Sequence, residues 1–224
     1  MTGWIMIQGF KSISNYFYQY RFEILLITLI VFLVLPSTLD SPKLQSILRT
    51  ILLLVGLNVM QKMQRAFLII ALLAFSAAVS DWLSGDDSAG TSKLIAFIFM
   101  MVFFITITYE LFSQIVKSKE IKLNIIIAAF NGYLLVGLIF SFLYTLIEAF
   151  HPGSIKGLSP GVQGLPDILY FSYITQLTIG YGDILPVAQL AKKITILQGL
   201  VGQFYLVVIM AILVGKFLIQ KDRS

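Results

Sequence analysis

The chain has no cysteine and a single histidine, His151, among its 224 residues. The lack of thiols excludes disulfide bonds, cysteine nucleophiles and the usual structural zinc sites, and one imidazole leaves little with which to bind a transition metal. Charge is also scarce, since charged residues make up 12% of the chain and hydrophobic residues 58%. A soluble domain has about 25% charged residues. The composition therefore favours a membrane protein and gives an enzyme no nucleophile–base pair.

The net charge of +5 does not indicate a nucleic-acid partner. Basic residues stand singly or in pairs at the ends of apolar runs, which is where membrane topology places them. We expect a lipid bilayer as the surroundings, no nucleic acid and no cofactor.

Six apolar runs mark candidate membrane spans, each of which needs about 20 helical residues. They cover residues 24–37, 44–60, 66–80, 94–116, 124–147 and 189–219. The third is the shortest and becomes long enough only with Asp81 and Trp82 at the headgroup level. No internal repeat is visible, which argues against an inverted-repeat transporter.

Residues 1–21 precede the first span and place Phe10, Ile13, Phe17 and Tyr20 at helical spacing. This pattern predicts a helix lying in the membrane interface. A disordered tail is the alternative.

Basic residues are distributed unequally between the two sides of a six-span arrangement. One side carries Lys11, Arg21, Lys62, Arg65, Lys117, Lys119, Lys122, Lys216, Lys221 and Arg223. The other side carries Lys43, Lys93, Lys156, Lys192 and Lys193. Because cytoplasmic loops are richer in lysine and arginine, we expect a multi-pass protein of the cell membrane with both termini cytoplasmic.

Between the last two spans, residues 148–188 change character halfway along. The first half is turn-rich and predicts an exposed loop. Pro166 and Asp167 then suit a first helical turn, so a short helix should run from about Pro166 to Leu177. Such a helix is too short to cross the bilayer, and the chain must turn back inside it.

The segment from Thr178 to Gly182 follows that short helix. Non-helical backbone at membrane depth is tolerated only where it is buried in protein or lines a water-filled path. Glycines at 180 and 182 can adopt positive φ, which lets successive carbonyl groups point the same way. A stack of such carbonyls, with the Thr178 hydroxyl at its inner end, offers sites for a dehydrated cation.

The residues Thr175-x-x-Thr178-x-Gly180-Tyr181-Gly182-Asp183 resemble the selectivity-filter signature of the potassium channel family. Isoleucine stands at 179, where valine is commoner. The resemblance extends over spans five and six as outer helix, turret, pore helix, filter and inner helix. It implies K+ as the permeant ion, bound at Thr178, Ile179, Gly180 and Tyr181, with Gly182 completing the filter.

One chain supplies one strip of carbonyl groups, so four copies around an axis are needed to surround an ion. We therefore expect a homotetramer. The resemblance is to six-span, one-pore subunits of the bacterial, non-voltage-gated type.

Two positions depart from the family pattern. Ile174 stands where some bacterial relatives carry a glutamate that pairs with the filter aspartate, so Asp183 must find another partner. Tyr170 resembles the aromatic position that can donate a hydrogen bond there, and with Thr175 and Asp183 it is expected to support the filter. Leu177 replaces a frequent small hydroxyl residue.

The last span offers candidates for a hinge and for the cavity below the filter. Gly202, twenty residues past Gly182, falls where the family's inner helix often has its hinge glycine, and Gly199 is a rival. Gln203 and Met210 are candidates for lining the cavity. Gln198 and Gln203, in the middle of the span, could either face the cavity or bond a neighbouring helix.

The fold expected is an all-α membrane protein with six transmembrane helices, a re-entrant pore helix and a filter. Residues 1–21 would form the interfacial helix, 22–123 a four-helix domain similar in layout to a voltage sensor, and 124–224 the pore domain. Voltage sensing takes about 3–4 gating charges per subunit. Residues 94–116 contain no arginine or lysine, so the arginine ladder is missing.

Three further ionisable residues leave alternatives open. Arg49 either extends to the outer interface or pairs with an acid such as Asp81. Glu110 forms an interfacial ion pair with Lys117 or acts as a proton-sensitive gate. His151 is exposed to solvent or senses outer pH.

Few residues follow the sixth span, so we expect no regulatory domain there. Gating would come from the membrane, from protons, from the filter itself or from a separate regulatory subunit, and the stimulus is open. Rival functions are a potassium-translocating subunit of a pump or symporter, and a non-conducting scaffold or receptor. The first usually repeats the pore unit within one chain, and the second would pass no ions.

The missing charges predict how the protein responds to voltage. Open probability, recorded from single channels in a reconstituted bilayer at two pH values, should stay nearly flat across a voltage series. A steep dependence on potential would contradict an electrically inert fourth span.

Overall fold

The computed structural model describes residues 17–35, 42–60, 72, 91–160 and 164–221. The helices with bounds in these ranges are α1 (Arg21–Val34), α2 (Pro42–Val59), α3 (Thr91–Lys117), α4 (Leu123–Phe150), α5 (Gly164–Gln176) and α6 (Gln189–Lys221). Two short strands are β1 (Ile155–Lys156) and β2 (Leu185–Pro186). Most of the predicted interfacial helix, and nearly all of the third predicted span at 66–80, lie outside the described residues.

The apolar runs that composition marks as spans coincide with helices wherever they are described. α3 from Phe97 onwards, α4 and α6 are each long and apolar enough to cross a membrane, and α2 contributes a shorter apolar stretch, Ile47–Val59. Residues 17–19 are helical too, and α1 ends at Val34, a few residues before the predicted end. The described part of the chain is therefore a mainly helical membrane protein.

α1 and α3 pack against α4, and α2 packs against α1 and α3. Each contributes apolar side chains at helical spacing, so that one stripe of each helix is buried. The largest fully buried side chains of this cluster are Phe22, Leu25, Leu29, Leu52, Met100, Phe103, Phe104, Ile107, Leu111, Ile115 and Leu135. A polar contact fixes the register, because Asn131 in α4 donates from Nδ2 to the Phe22 carbonyl of α1 at 2.8 Å.

A second cluster holds the short helix α5 against α4 and the start of α6. It contains Val136, Phe140, Tyr144, Ile147, Ile155, Ile168, Phe171, Ile184 and Ala191. α5 begins at Gly164, with Pro166 and Asp167 in its first turn, and ends at Gln176. These bounds lie within about a turn of the predicted ones, and at 13 residues the helix is too short to span.

The loop before α5 is less exposed than its turn-rich sequence predicts. Ile155 and Ser154 are buried, and β1 pairs antiparallel with β2, the stretch that follows the filter. The Glu148 carboxylate accepts hydrogen bonds from the backbone N–H groups of Gly153 and Ile155. The exposed-loop expectation is thus wrong for these residues, because the returning chain covers them.

The crossing of α4 and α6 depends on a residue without a side chain. A Cβ at position 132 would overlap the Tyr205 hydroxyl, which donates to the Ala129 carbonyl at 2.8 Å. The two helices approach closely because Gly132 leaves room for that hydroxyl.

We expect Gly132→Ala to destabilise the protein by about 1–3 kcal/mol through overpacking. Thermal unfolding in detergent measures this. Adding Tyr205→Phe should recover part of the loss, since it removes the overlapping oxygen. The control is Gly215→Ala on α6, where no atom lies within 4 Å of the new Cβ. Equal stability of Gly132→Ala and the control would contradict the close crossing.

Candidate functional site

The middle of α5 is fixed by a chain of buried hydrogen bonds to the two long helices beside it. Ser172 donates from Oγ to the Gly137 carbonyl of α4 at 2.7 Å. Gln198 of α6 donates from Nε2 to the Ser172 carbonyl at 2.9 Å and to Ser172 Oγ at 2.8 Å, and Tyr144 Oη donates to Gln198 Oε1 at 2.8 Å. Burying a polar side chain in a membrane interior costs free energy unless the side chain is hydrogen-bonded. This series of hydrogen bonds therefore sets the position of α5.

The end of α5 is held by a reciprocal pair. Gln176 donates from Nε2 to the Tyr133 carbonyl at 2.7 Å, and Tyr133 Oη donates to the Gln176 carbonyl at 3.1 Å. One turn earlier, Tyr173 Oη donates to the Leu134 carbonyl at 2.6 Å. The last residue of α5, from which the segment 177–183 departs, is thereby anchored to α4.

Three backbone N–H groups of the following segment point back at α5. The Thr178 amide donates to the Thr175 carbonyl at 3.0 Å. The Ile179 and Gly180 amides both donate to the Ile174 carbonyl, at 2.9 and 3.3 Å. The first three N–H groups of the segment 178–182 are thus bonded to α5.

Backbone dihedrals alternate along the same segment. Thr178, Gly180 and Gly182 have φ of 58°, 56° and 84°, while Ile179 and Tyr181 are not in the positive-φ region. Alternation between positive and negative φ turns successive peptide planes, which allows their carbonyl groups to face one side. For Thr178 this conformation costs about 1–2 kcal/mol, because its Cβ crowds the backbone.

The carbonyl groups of the segment are left without partners. Within the described residues, no hydrogen bond reaches a carbonyl oxygen of residues 178–182. All residues from 177 to 183 are exposed in the single chain, Tyr181 at 73%. The segment therefore combines three N–H groups bonded to α5 with exposed carbonyl groups that accept no hydrogen bond from the described residues.

At the outer end of the segment, Tyr170 Oη donates to Asp183 Oδ2 at 2.8 Å. This hydrogen bond lowers the pKa of the Asp183 carboxyl below its ordinary value and raises the pKa of the Tyr170 hydroxyl. With isoleucine at 174, the tyrosine supplies the partner that the aspartate needs.

The hinge and cavity candidates on α6 differ in surroundings. A Cβ at Gly202 would lie 3.1 Å from Gln176 Cγ, so this glycine packs against the end of α5. A Cβ at Gly199 would meet nothing within 4 Å. Gln203 and Met210 are exposed in the single chain. Gln198 takes the other of its two predicted roles, bonding a neighbouring helix.

The ionisable residues have specific surroundings. The Arg49 guanidinium lies 5.9 Å from the centroid of the Phe97 ring, and Asp81 is outside the described residues. Glu110 Oε1 accepts a hydrogen bond from Gln114 Nε2 at 2.9 Å, and His151 is exposed.

Several residues that position the site were not predicted from the sequence. Ser172, Gln176, Tyr133 and Tyr144 were not singled out, although each places a polar group inside or beside an apolar run. That placement is a signal, since polar side chains within spans commonly bond across helices.

A family model described as "Ion channel" matches residues 157–219, which run from the loop before α5 to near the end of α6. Searches of curated proteins and of solved structures each returned no significant match. The match covers the site and supports an ion-channel family, which favours a channel over an enzyme and agrees with a place in the membrane.

The Tyr170–Asp183 bond predicts a shift in titration. A carboxyl with a lowered pKa contributes stability above its unfolded pKa of about 3.9 and loses it as pH falls through the folded value. Tyr170→Phe should therefore raise the Asp183 pKa toward the ordinary one. The titration midpoint of Asp183 is measured by NMR of its carboxyl carbon, whose signal is assigned by its loss in Asp183→Asn. Tyr109→Phe, at an exposed position on α3, is the control, and an unshifted midpoint in Tyr170→Phe would contradict the bond.

Proposed function

We propose that the chain is the subunit of a potassium-selective channel that conducts K+ passively as a homotetramer. The observation that carries the proposal is the segment 178–182, with alternating φ and free carbonyl oxygens. The family match over the same region supports it.

K+ would bind in layers formed by the carbonyl groups of Thr178, Ile179, Gly180 and Tyr181, with the Thr178 hydroxyl as the innermost ligand. Replacement of the hydration shell by carbonyl oxygens is the established mechanism of potassium channel filters, and it comes to this chain through the resemblance of residues 175–183. The fixed position of α5 supports it, because it holds these oxygens in place.

Tetramer formation follows from the surroundings that the free carbonyl groups need. Apolar side chains on α6 can face lipid, so their exposure alone requires no partner. Unpaired peptide groups at membrane depth cannot face lipid in the same way, since each costs several kcal/mol in hydrocarbon. Further copies of the chain would enclose them in a water-filled path. Consistent with this, 67% of the apolar stretch of α4 is buried within the chain, whereas only 17% of the apolar stretch of α6 is buried.

The remaining parts of the proposal concern topology and gating. The chain would cross the cell membrane six times, with both termini cytoplasmic, a four-helix domain in 22–123 and a pore domain in 124–224. α3 carries lysine only near its ends, at Lys93 and Lys117, which supports weak voltage dependence. Gating would use the filter, Gly199 or Gly202 as hinge, or a separate regulatory subunit.

Flux through reconstituted vesicles tests the proposal. Purified protein should pass K+ down its gradient and exclude Na+ without ATP or a second coupled ion. A scaffold would pass nothing, and a pump or symporter subunit would need its energy source.

Gly180→Ala sharpens the test. A Cβ at 180 meets no atom within 4 Å in the single chain, so the substitution acts through φ, at a cost of about 1–2 kcal/mol per subunit. We expect selectivity for K+ over Na+ to be abolished or strongly reduced. Gly215→Ala, which adds the same methyl group on α6, should retain selectivity. Unchanged selectivity in Gly180→Ala would contradict the carbonyl mechanism.

A further inference from the structure

The lower end of α6 is attached to the corner where α3 ends and α4 begins. The Lys216 ammonium donates to the carbonyl groups of Ile115, Val116 and Ser118, at 2.8, 2.7 and 2.5 Å. These residues are about 100 positions away in the chain. From the sequence, Lys216 was predicted either to mark the cytoplasmic side of the membrane or to contact anionic lipids.

The contact uses groups that the end of a helix leaves unsatisfied. The last carbonyl groups of α3 have no partner within the helix, and they form the negative end of its dipole. The Gln114 carbonyl accepts from the Ser118 amide at 2.9 Å, which leaves the next two to the lysine. An ammonium group with three donors matches this set of acceptors.

A second residue on the same face of α6 completes the attachment. Gln220 follows Lys216 by four positions, one turn further along. Its Oε1 accepts from the Ile121 N–H at 2.9 Å, just before α4 begins. Lys216 thus donates to the carbonyl end of α3, and Gln220 accepts from an N–H group that leads into α4. We give the name corner clasp to the side chains of Lys216 and Gln220 together with the backbone groups that they bond, those of Ile115, Val116, Ser118 and Ile121.

The corner clasp joins parts that otherwise lie apart. α4 packs against both α3 and α6, whereas α3 and α6 share no extensive contact of their own. The clasp therefore transmits the position of the α3–α4 corner to the end of α6, around the helix that separates them.

We propose that the corner clasp favours the open pore by holding the cytoplasmic end of α6 against the outer helices of its own subunit. This rests on the function proposed above. A pore lined by four copies of α6 narrows where their ends converge, and a bond from each end to its own subunit opposes convergence. An equilibrium between two states shifts by the free energy of an interaction that is made in only one of them. Residues 22–123 would thereby act as an anchor for the gate.

Single-channel recording of Lys216→Met tests the proposal. The substitution keeps an apolar stem and removes the donors, so the ratio of open to closed time should fall by about tenfold or more. Unitary conductance and selectivity should not change. Lys216→Arg, which keeps the charge and donors, should restore most of the ratio. Lys119→Met removes the same charge from an exposed position at the same corner and should have little effect.

A distance measurement gives a readout that does not need current. The chain has no cysteine, so Ile219→Cys allows one spin label per subunit at an exposed position near the end of α6. Distances between copies should shorten when Lys216→Met is added. If Lys216→Met fails to assemble, Gln220→Leu serves in both measurements, with Gln220→Glu as its rescue.

The outcomes separate the two proposals. Absence of K+ current from the unmodified protein would overturn the proposed function, while the spin-label distances would still report on the clasp. Normal K+ current with an unchanged or raised open ratio in Lys216→Met would overturn the clasp proposal alone. Unchanged or longer distances between the labels would do the same.

Discussion

A peptide group with no hydrogen-bond partner cannot lie in hydrocarbon, and no hydrogen bond from the described residues reaches the carbonyl oxygens of residues 178–182. The rest of the site follows from this constraint. The N–H groups of Thr178, Ile179 and Gly180 donate to α5. The carbonyl oxygens of the segment receive no hydrogen bond from the described residues, and acceptors without donors suit a cation. In the proposed channel a solvent path would reach them beside α6, which is largely uncovered within the single chain.

The segment can hold its strained conformation only if its support is rigid. Thr178 has positive φ without being glycine, and such conformations persist where the surroundings impose them. Here the support is polar. Tyr133 and Gln176 bond each other reciprocally, and Ser172 connects α5 to Gln198 of α6. Since these groups are buried where water cannot replace a lost partner, each bond restricts the position of α5 more than a surface bond would.

The sequence predicted the structural features that depend on residues close together in the chain. Apolar runs gave the extents of α2, α3, α4 and α6, and Pro166 with Asp167 gave the start of α5 within about a turn. The glycines at 180 and 182 indicated positive φ, because few other residues adopt it. Contacts between distant residues were not predictable in this way. Tyr133 and Gln176 are 43 positions apart, and Lys216 bonds Ile115 across 101, so their pairing depends on how the helices pack.

The central claim is that several copies of the chain place residues 178–182 around one axis and bind bare K+ there. The direct measurement is an experimental density map of the purified protein in K+, repeated in Na+. The account predicts four chains around a central axis, with a row of ion densities between the carbonyl groups of residues 178–182 that is altered in Na+. An assembly without a shared axis, or one with this segment directed away from it, would contradict the account.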